Sequence, residues 1–145
     1  MSDLGLNRRG VATVPAVTLA LDDARAIFDR RRVAWLTEDL DGYLDCWTDD
    51  MVLRVPGRTI EGRAQYGELL RHSFTWGRPL AFDFHHLAVV GDVVLAEWTI
   101  SAERRSDGAV VEWEGMSVCE LRDGRISWWR EYYDDPDALR RARTA

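Results

Sequence analysis

No lysine occurs in the 145 residues; all 19 basic side chains are arginine. That excludes Schiff-base chemistry on a lysine and phosphate cradling by a P-loop lysine. Cysteine is nearly as scarce. Cys46 and Cys119 are the 2 present, without C-x-x-C spacing, which is too few for a disulfide framework. Together with 3 scattered histidines they do not complete a zinc template, so no metal is expected. A surplus of positive charge is missing as well. The net charge of −6 and a pI near 5.0 argue against a nucleic-acid surface, which needs a basic patch to neutralise phosphates. No apolar run reaches the roughly 18 to 20 residues needed to span a bilayer, and internal repeats and low-complexity tracts are absent. The expectation is one soluble, cytoplasmic domain without membrane or nucleic-acid partners.

What is present supports a single core. The chain is 46% hydrophobic and 30% charged, and at this length about 68–70% of the unfolded chain's surface is buried on folding. Residues 1–20 read as a flexible arm, because the apolar stretch after Arg8 and Arg9 is short and interrupted by Thr13, Pro15 and Thr18. From Leu21 to Leu36 a helical period sets in, with Asp22 as N-cap and Ala24, Ile27, Phe28, Arg31, Ala34 and Trp35 in the i, i+3, i+4, i+7 pattern. Asp39 caps a second helix carrying Leu40, Tyr43, Leu44 and Trp47 on one stripe, and Thr48-Asp49-Asp50 breaks it. A strand is expected over Met51–Val55, ended by Pro56-Gly57, and a third helix over Glu61–Phe74, where His72 reads as a surface or packing residue.

The second half changes period. Ala81–Val90, Val93–Arg104, Val110–Leu121 and Ile126–Tyr133 are rich in β-branched and aromatic residues, and Gly91-Asp92, Asp107-Gly108 and Asp123-Gly124 separate them. Three consecutive hairpins follow, giving a four-strand antiparallel meander. Helices first and strands afterwards mean an α+β domain whose long strands curl around the helices. Residues 136–145 form a C-terminal tail, with Ala138–Arg143 as a short helix or a frayed end.

Three stretches carry a resemblance: Asp49-Asp50 leading into the strand that ends at Pro56, Ile60-Glu61-Gly62-Arg63 opening the third helix, and the run from Leu121 through Trp128-Trp129-Arg130-Glu131-Tyr132-Tyr133 to Asp134. In this order the segment 21–135 resembles the nuclear transport factor 2-like (cystatin-like) superfamily, in its SnoaL-like polyketide cyclase and limonene epoxide hydrolase branch. The resemblance implies a cone-shaped fold with N-terminal helices packed on a curved, mostly antiparallel sheet. It also implies a deep, mostly apolar pocket, a homodimer, and acid/base chemistry on a hydrophobic small molecule without a cofactor.

Strand alternation places Trp129, Glu131 and Tyr133 on one face. The limonene epoxide hydrolases resemble this stretch through a W-R-D-Y-F run whose third position is a catalytic aspartate, here Glu131. A carboxyl in an apolar cleft holds its proton more tightly, which suits a general acid or base; the alternative is a structural ion pair. Arg54 shares a strand face with Val52, which the same resemblance implies points into the cavity, within reach of Glu131, where it orients the carboxylate or holds developing negative charge; a rim arginine is the alternative. Asp83 and His85 lie two apart and can form a dyad, while His86 lies on the other face with Phe82 and Phe84; periodicity leaves open which face lines the pocket. Trp35, Trp47, Trp98, Trp113, Tyr43 and Tyr133 are expected to shape an aromatic slot for the substrate, or to fill the core.

Two departures narrow the chemistry. Limonene epoxide hydrolases need an arginine and an aspartate one residue apart on the strand after the first hairpin, where this chain has Trp98 and Ile100. Ketosteroid isomerases place an aspartate before the proline ending the first strand, where Val55 stands. The expectation is a cyclase, isomerase or dehydratase acting on a polyketide-, steroid- or terpenoid-like metabolite. Epoxide hydrolysis with an altered triad and a noncatalytic ligand-binding domain are the alternatives. Val118, Met116 and Trp128 are expected to form the dimer face.

Overall fold

The computed structural model describes residues 5–6, 12–13 and 19–143. Most of the expected N-terminal arm lies outside them; within it Gly5–Leu6 (β1) pairs antiparallel with Ala12–Thr13 (β2). Helix α1 spans Leu21–Leu36 as its periodicity predicts, and buries Ala24, Ile27, Phe28, Arg31 and Ala34. Its N-cap is Ala20, without a side-chain cap bond. Asp22 therefore sits in the first turn, where the helix dipole favours it, and is not the cap. In α2 (Leu40–Asp45) the Asp39 carboxylate does cap, accepting the Gly42 amide at 3.0 Å.

Trp47 is not on α2. It opens β3 (Trp47–Val55), four residues before the expected start, because it pairs in parallel with Ile126 while the Ile126 amide donates to the Cys46 carbonyl at 2.8 Å. Pro56-Gly57 then turns the chain into β4 (Arg58–Glu61), a strand the sequence reading missed, with Gly57 at φ +76°. Only after it does α3 (Arg63–Trp76) begin. Strands β5 (Gly77–Val90), β6 (Val93–Arg104), β7 (Val110–Arg122) and β8 (Arg125–Tyr133) make the expected meander. Asp123 and Gly124, both at positive φ, supply the left-handed pair that a two-residue hairpin requires.

The other six strands form one unclosed sheet in the order β4-β3-β8-β7-β6-β5, antiparallel except for β3 beside β8. This is the α+β, nuclear transport factor 2-like architecture. Helix α1 packs on β5 and α2, and α3 bridges β3 and β5. The inward row of β6 is Val94, Ala96, Trp98, Ile100 and Ala102, all buried in steps of two. The Trp98 ring crosses the strand at Gly115, where a Cβ would lie 2.7 Å from the ring and 2.7 Å from the Tyr132 carbonyl oxygen. Its indole N–H donates to the Ser117 hydroxyl at 2.7 Å.

The C-terminal helix α4 (Ala138–Arg143) packs on β7, and the Arg104 guanidinium donates to the Ala142 carbonyl at 2.8 Å. Of the three residues expected at a dimer face, Met116 is 43% exposed but Trp128 is only 5% exposed and Val118 is half-buried. No helix among the described residues is long and apolar enough to cross a membrane.

Candidate active site

Between the helices and the concave sheet lies a cavity of about 350 Å³. Leu53 and Val55 on β3, Phe82 on β5, Ile100 on β6 and Trp113 on β7 line its sheet wall, and Trp35, Leu69, Leu70 and Trp76 its helical wall. Pro56 and Arg58 at the β3–β4 turn and Pro136, Leu139 and Arg140 at the C-terminus line it too. The segment expected as a tail thus contributes to the wall.

Glu131 faces this cavity with Tyr133, as alternation along β8 predicts. The carboxyl is held from both sides on its own strand: the Trp129 indole N–H donates to Oε1 at 3.0 Å and the Tyr133 hydroxyl donates to Oε2 at 2.7 Å. Burial raises the proton affinity of Glu131 above the ordinary carboxyl range, and the Tyr133 hydroxyl, the Arg31 charge and the Trp129 indole oppose that rise without cancelling it.

The buried guanidinium at the cavity is not the expected one. Arg54 is exposed, because Leu53 and Val55 take the inward positions of β3, and its cross-strand neighbour is Arg130. Arg31 on α1 is inside instead, 3% exposed. Its guanidinium carbon lies 4.2 Å from the ring centre of Trp129 and 5.0 Å from that of Phe82, contacts in which ring faces stabilise a desolvated cation. Its Nε donates to the Tyr43 hydroxyl at 2.9 Å, and that hydroxyl shares a hydrogen bond with Tyr66 at 2.9 Å. Burial pushes the proton affinity of Tyr43 up and that of Tyr66 well up, so both hydroxyls stay protonated at neutral pH.

Asp83, His85 and His86 lie outside the cavity. Alternation with the inward Phe82 and Phe84 turns Asp83 and His85 outward, and a bulge turns His86 outward as well: Phe84 pairs with Trp98 and His86 with Glu97, so His85 is left over and His86 does not follow Phe82 and Phe84 inward. Each finds an outer partner, Asp83 with Arg32 at 3.9 Å, His85 with the Thr99 hydroxyl at 2.7 Å and His86 with Glu97 at 2.8 Å. The inward row goes to Phe82 and Phe84, which stack at 4.6 Å and meet Phe28 and Trp35 of α1.

Of the aromatic residues expected to line the slot, Trp35, Tyr43, Trp113 and Tyr133 do so, whereas Trp47 and Trp98 are core residues away from it. Tyr66, Phe82 and Trp76 line it unforeseen. Among the described residues no three His, Cys, Asp or Glu side chains gather into a metal site. Cys119 is buried, its thiol pushed up to about 12 by desolvation, and so is inert.

A family model described as a SnoaL-like domain matches residues 24–129. Among solved structures, an LEH-like epoxide hydrolase from M. tuberculosis is 27% identical, with 82% of this chain and 88% of that chain covered and a TM-score of 0.70. An NTF-2 like protein of unknown function from Burkholderia xenovorans is 25% identical, with 79% and 85% covered and a TM-score of 0.64. A protein with a ketosteroid isomerase-like fold from Catenulispora acidiphila, at 15% identity, 80% and 91% coverage and a TM-score of 0.68, shares the fold alone. No curated protein matches.

Proposed function

Because the chain belongs to the SnoaL-like domain family, we propose that it is a cofactor-independent acid/base enzyme that cyclises, isomerises or dehydrates a hydrophobic, polyketide-, steroid- or terpenoid-like metabolite. The observation that carries this reading is Glu131, a carboxyl of raised proton affinity facing an apolar cavity. Its two oxygens are not equivalent. An indole N–H can only donate, so Oε1 remains an acceptor whether or not Glu131 is ionised, and the proton is carried on Oε2. There the Tyr133 hydroxyl donates to the carboxylate and turns to accept from the acid. Glu131 thus takes a proton from a substrate carbon or returns one to oxygen, with Tyr133 following each change.

The test is deuterium exchange at the carbon beside the carbonyl of 2-tetralone in D2O. Wild type is expected to accelerate it over buffer, and Glu131→Gln to lose about 10²- to 10⁴-fold. Wild type no faster than Glu131→Gln contradicts the reading.

A second reading, epoxide hydrolysis, is supported by Arg31 and Glu131 lining the same cavity and by likeness to the M. tuberculosis enzyme. In it Glu131 protonates the departing epoxide oxygen as water attacks carbon, and the proton that the attacking water loses passes to the Glu131 carboxylate left behind, which restores the acid. Diol formation from 1-phenylcyclohexene oxide without exchange on 2-tetralone distinguishes it; neither activity leaves the noncatalytic alternative. We also propose a cytoplasmic homodimer joined through Met116 and Tyr132, exposed and opposite each other across β7 and β8. Light scattering that shows only monomer would sink that proposal.

A further inference from the structure

Arg31 is a buried cation with no carboxylate in contact; Glu131, which faces the same cavity, acts on it only through space. Its Nε is committed to Tyr43, its Nη1 has no hydrogen-bond partner, and no carboxylate among the described residues stands within ion-pair distance of it. Desolvating a charge is costly unless it is paired and hydrogen-bonded, and the four aromatic rings around Arg31 offset only part of that cost, because they accept no hydrogen bond in the plane of the guanidinium. The neighbouring hydroxyls do not supply an anion either. Tyr43 and Tyr66 hold two hydroxyl protons and share one hydrogen bond, so whichever donates, one O–H of the pair is left over. The Arg31 end of the cavity therefore presents N–H and O–H donors and a positive charge, with apolar walls formed by Trp35, Phe82, Ile100 and Trp113 beside it.

A group that only accepts hydrogen bonds and carries a negative charge completes this arrangement, and a carboxylate is the group whose two oxygens match a planar guanidinium. We infer that the ligand of this cavity is a hydrophobic acid whose carboxylate binds at Arg31, beside the Tyr43–Tyr66 pair, with its apolar body against Trp35, Phe82 and Trp113. The inference deepens the enzymatic reading, since it places an anionic anchor in the cavity that Glu131 faces. It does not need turnover to be tested.

The experiment compares 2-naphthoate with its neutral isostere 2-naphthamide, binding to the full chain at neutral pH and followed by tryptophan fluorescence. Wild type is expected to bind the carboxylate at least about tenfold more tightly, the factor that one charge-assisted hydrogen bond provides. Arg31→Met and Arg31→Gln are expected to abolish the preference, and Arg31→Lys to keep part of it. Equal or tighter binding of the amide to wild type overturns the inference, as does a preference that survives Arg31→Gln or an absence of naphthoate binding at millimolar concentration. If Arg31→Met fails to fold, the Gln and Lys variants carry the comparison. A wild-type preference that Arg31→Gln loses, without any 2-tetralone exchange, sustains the anion site while the acid/base reading fails; wild-type exchange without the preference does the reverse.

Discussion

The Tyr133 hydroxyl donates to Oε2 of Glu131 at 2.7 Å, from two residues along the same strand face. This bond stabilises the ionised carboxyl and so lowers its proton affinity against the larger effect of burial. Tyr133→Phe removes it at little cost in packing. The limb of the pH–rate profile that reports Glu131 is expected to move to higher pH, because the ionised form has lost a donor. An unmoved limb, or one moved to lower pH, would show that Tyr133 acts elsewhere.

Glu131 also fixes a sign for stability. A carboxyl whose proton affinity is higher in the fold than in the unfolded chain leaves the native state holding more protons in the window between the two values. Its stabilising contribution is complete below the unfolded-chain value and is lost as pH rises through the native one. Glu131→Gln mimics the protonated form, with its carbonyl toward Trp129 and its amide toward Tyr133. Urea titrations from about pH 4 to about pH 8 are expected to show the variant gaining stability relative to wild type as pH rises. A constant difference, or one that shrinks, contradicts the burial argument.

Gly115 and Trp98 give a prediction in the core. A methyl group at 115 would collide with both the Trp98 ring and the Tyr132 carbonyl, and backbone cannot yield as a flexible side chain does. Gly115→Ala is expected to cost about 1–3 kcal/mol in chemical denaturation and to disturb Tyr133, whose ring meets Trp98 edge-on at 6.0 Å. Wild-type stability with an unchanged near-ultraviolet spectrum would refute it.

Much of this arrangement is written in local pattern. The 3.6 period gave α1 both of its ends, and the Asp-Gly pairs set the hairpins that align β6, β7 and β8. Two-residue alternation was enough to put Trp129, Glu131 and Tyr133 on one face. What escaped depends on events that break alternation or join distant segments. The bulge at His85 moved His86 outward, off the inward row of Phe82 and Phe84, and no feature of Phe84-His85-His86 announces it. The parallel pairing of β3 with β8 drew Trp47 out of the helix, and such a pairing has no short-range signal. Arg54 was placed by assuming that Val52 faces inward; the hydrophobic register Met51, Leu53, Val55 points the other way. Arg31 had a legible signal. It sits within the apolar stripe of α1, between Phe28 and Ala34, and a charge in a buried stripe marks a place where folding is subordinate to a ligand or a reaction.

The most direct measurement of the proton affinity of Glu131 follows its side-chain carboxyl carbon by NMR in protein labelled with 13C-glutamate, the signal identified by its loss in Glu131→Gln. The expected result is a carboxyl titrating above the ordinary glutamate range. A Glu131 signal that titrates within that range, or below it, would contradict the account, because such a carboxyl is an ordinary acid and not the proton carrier of a mostly apolar cavity.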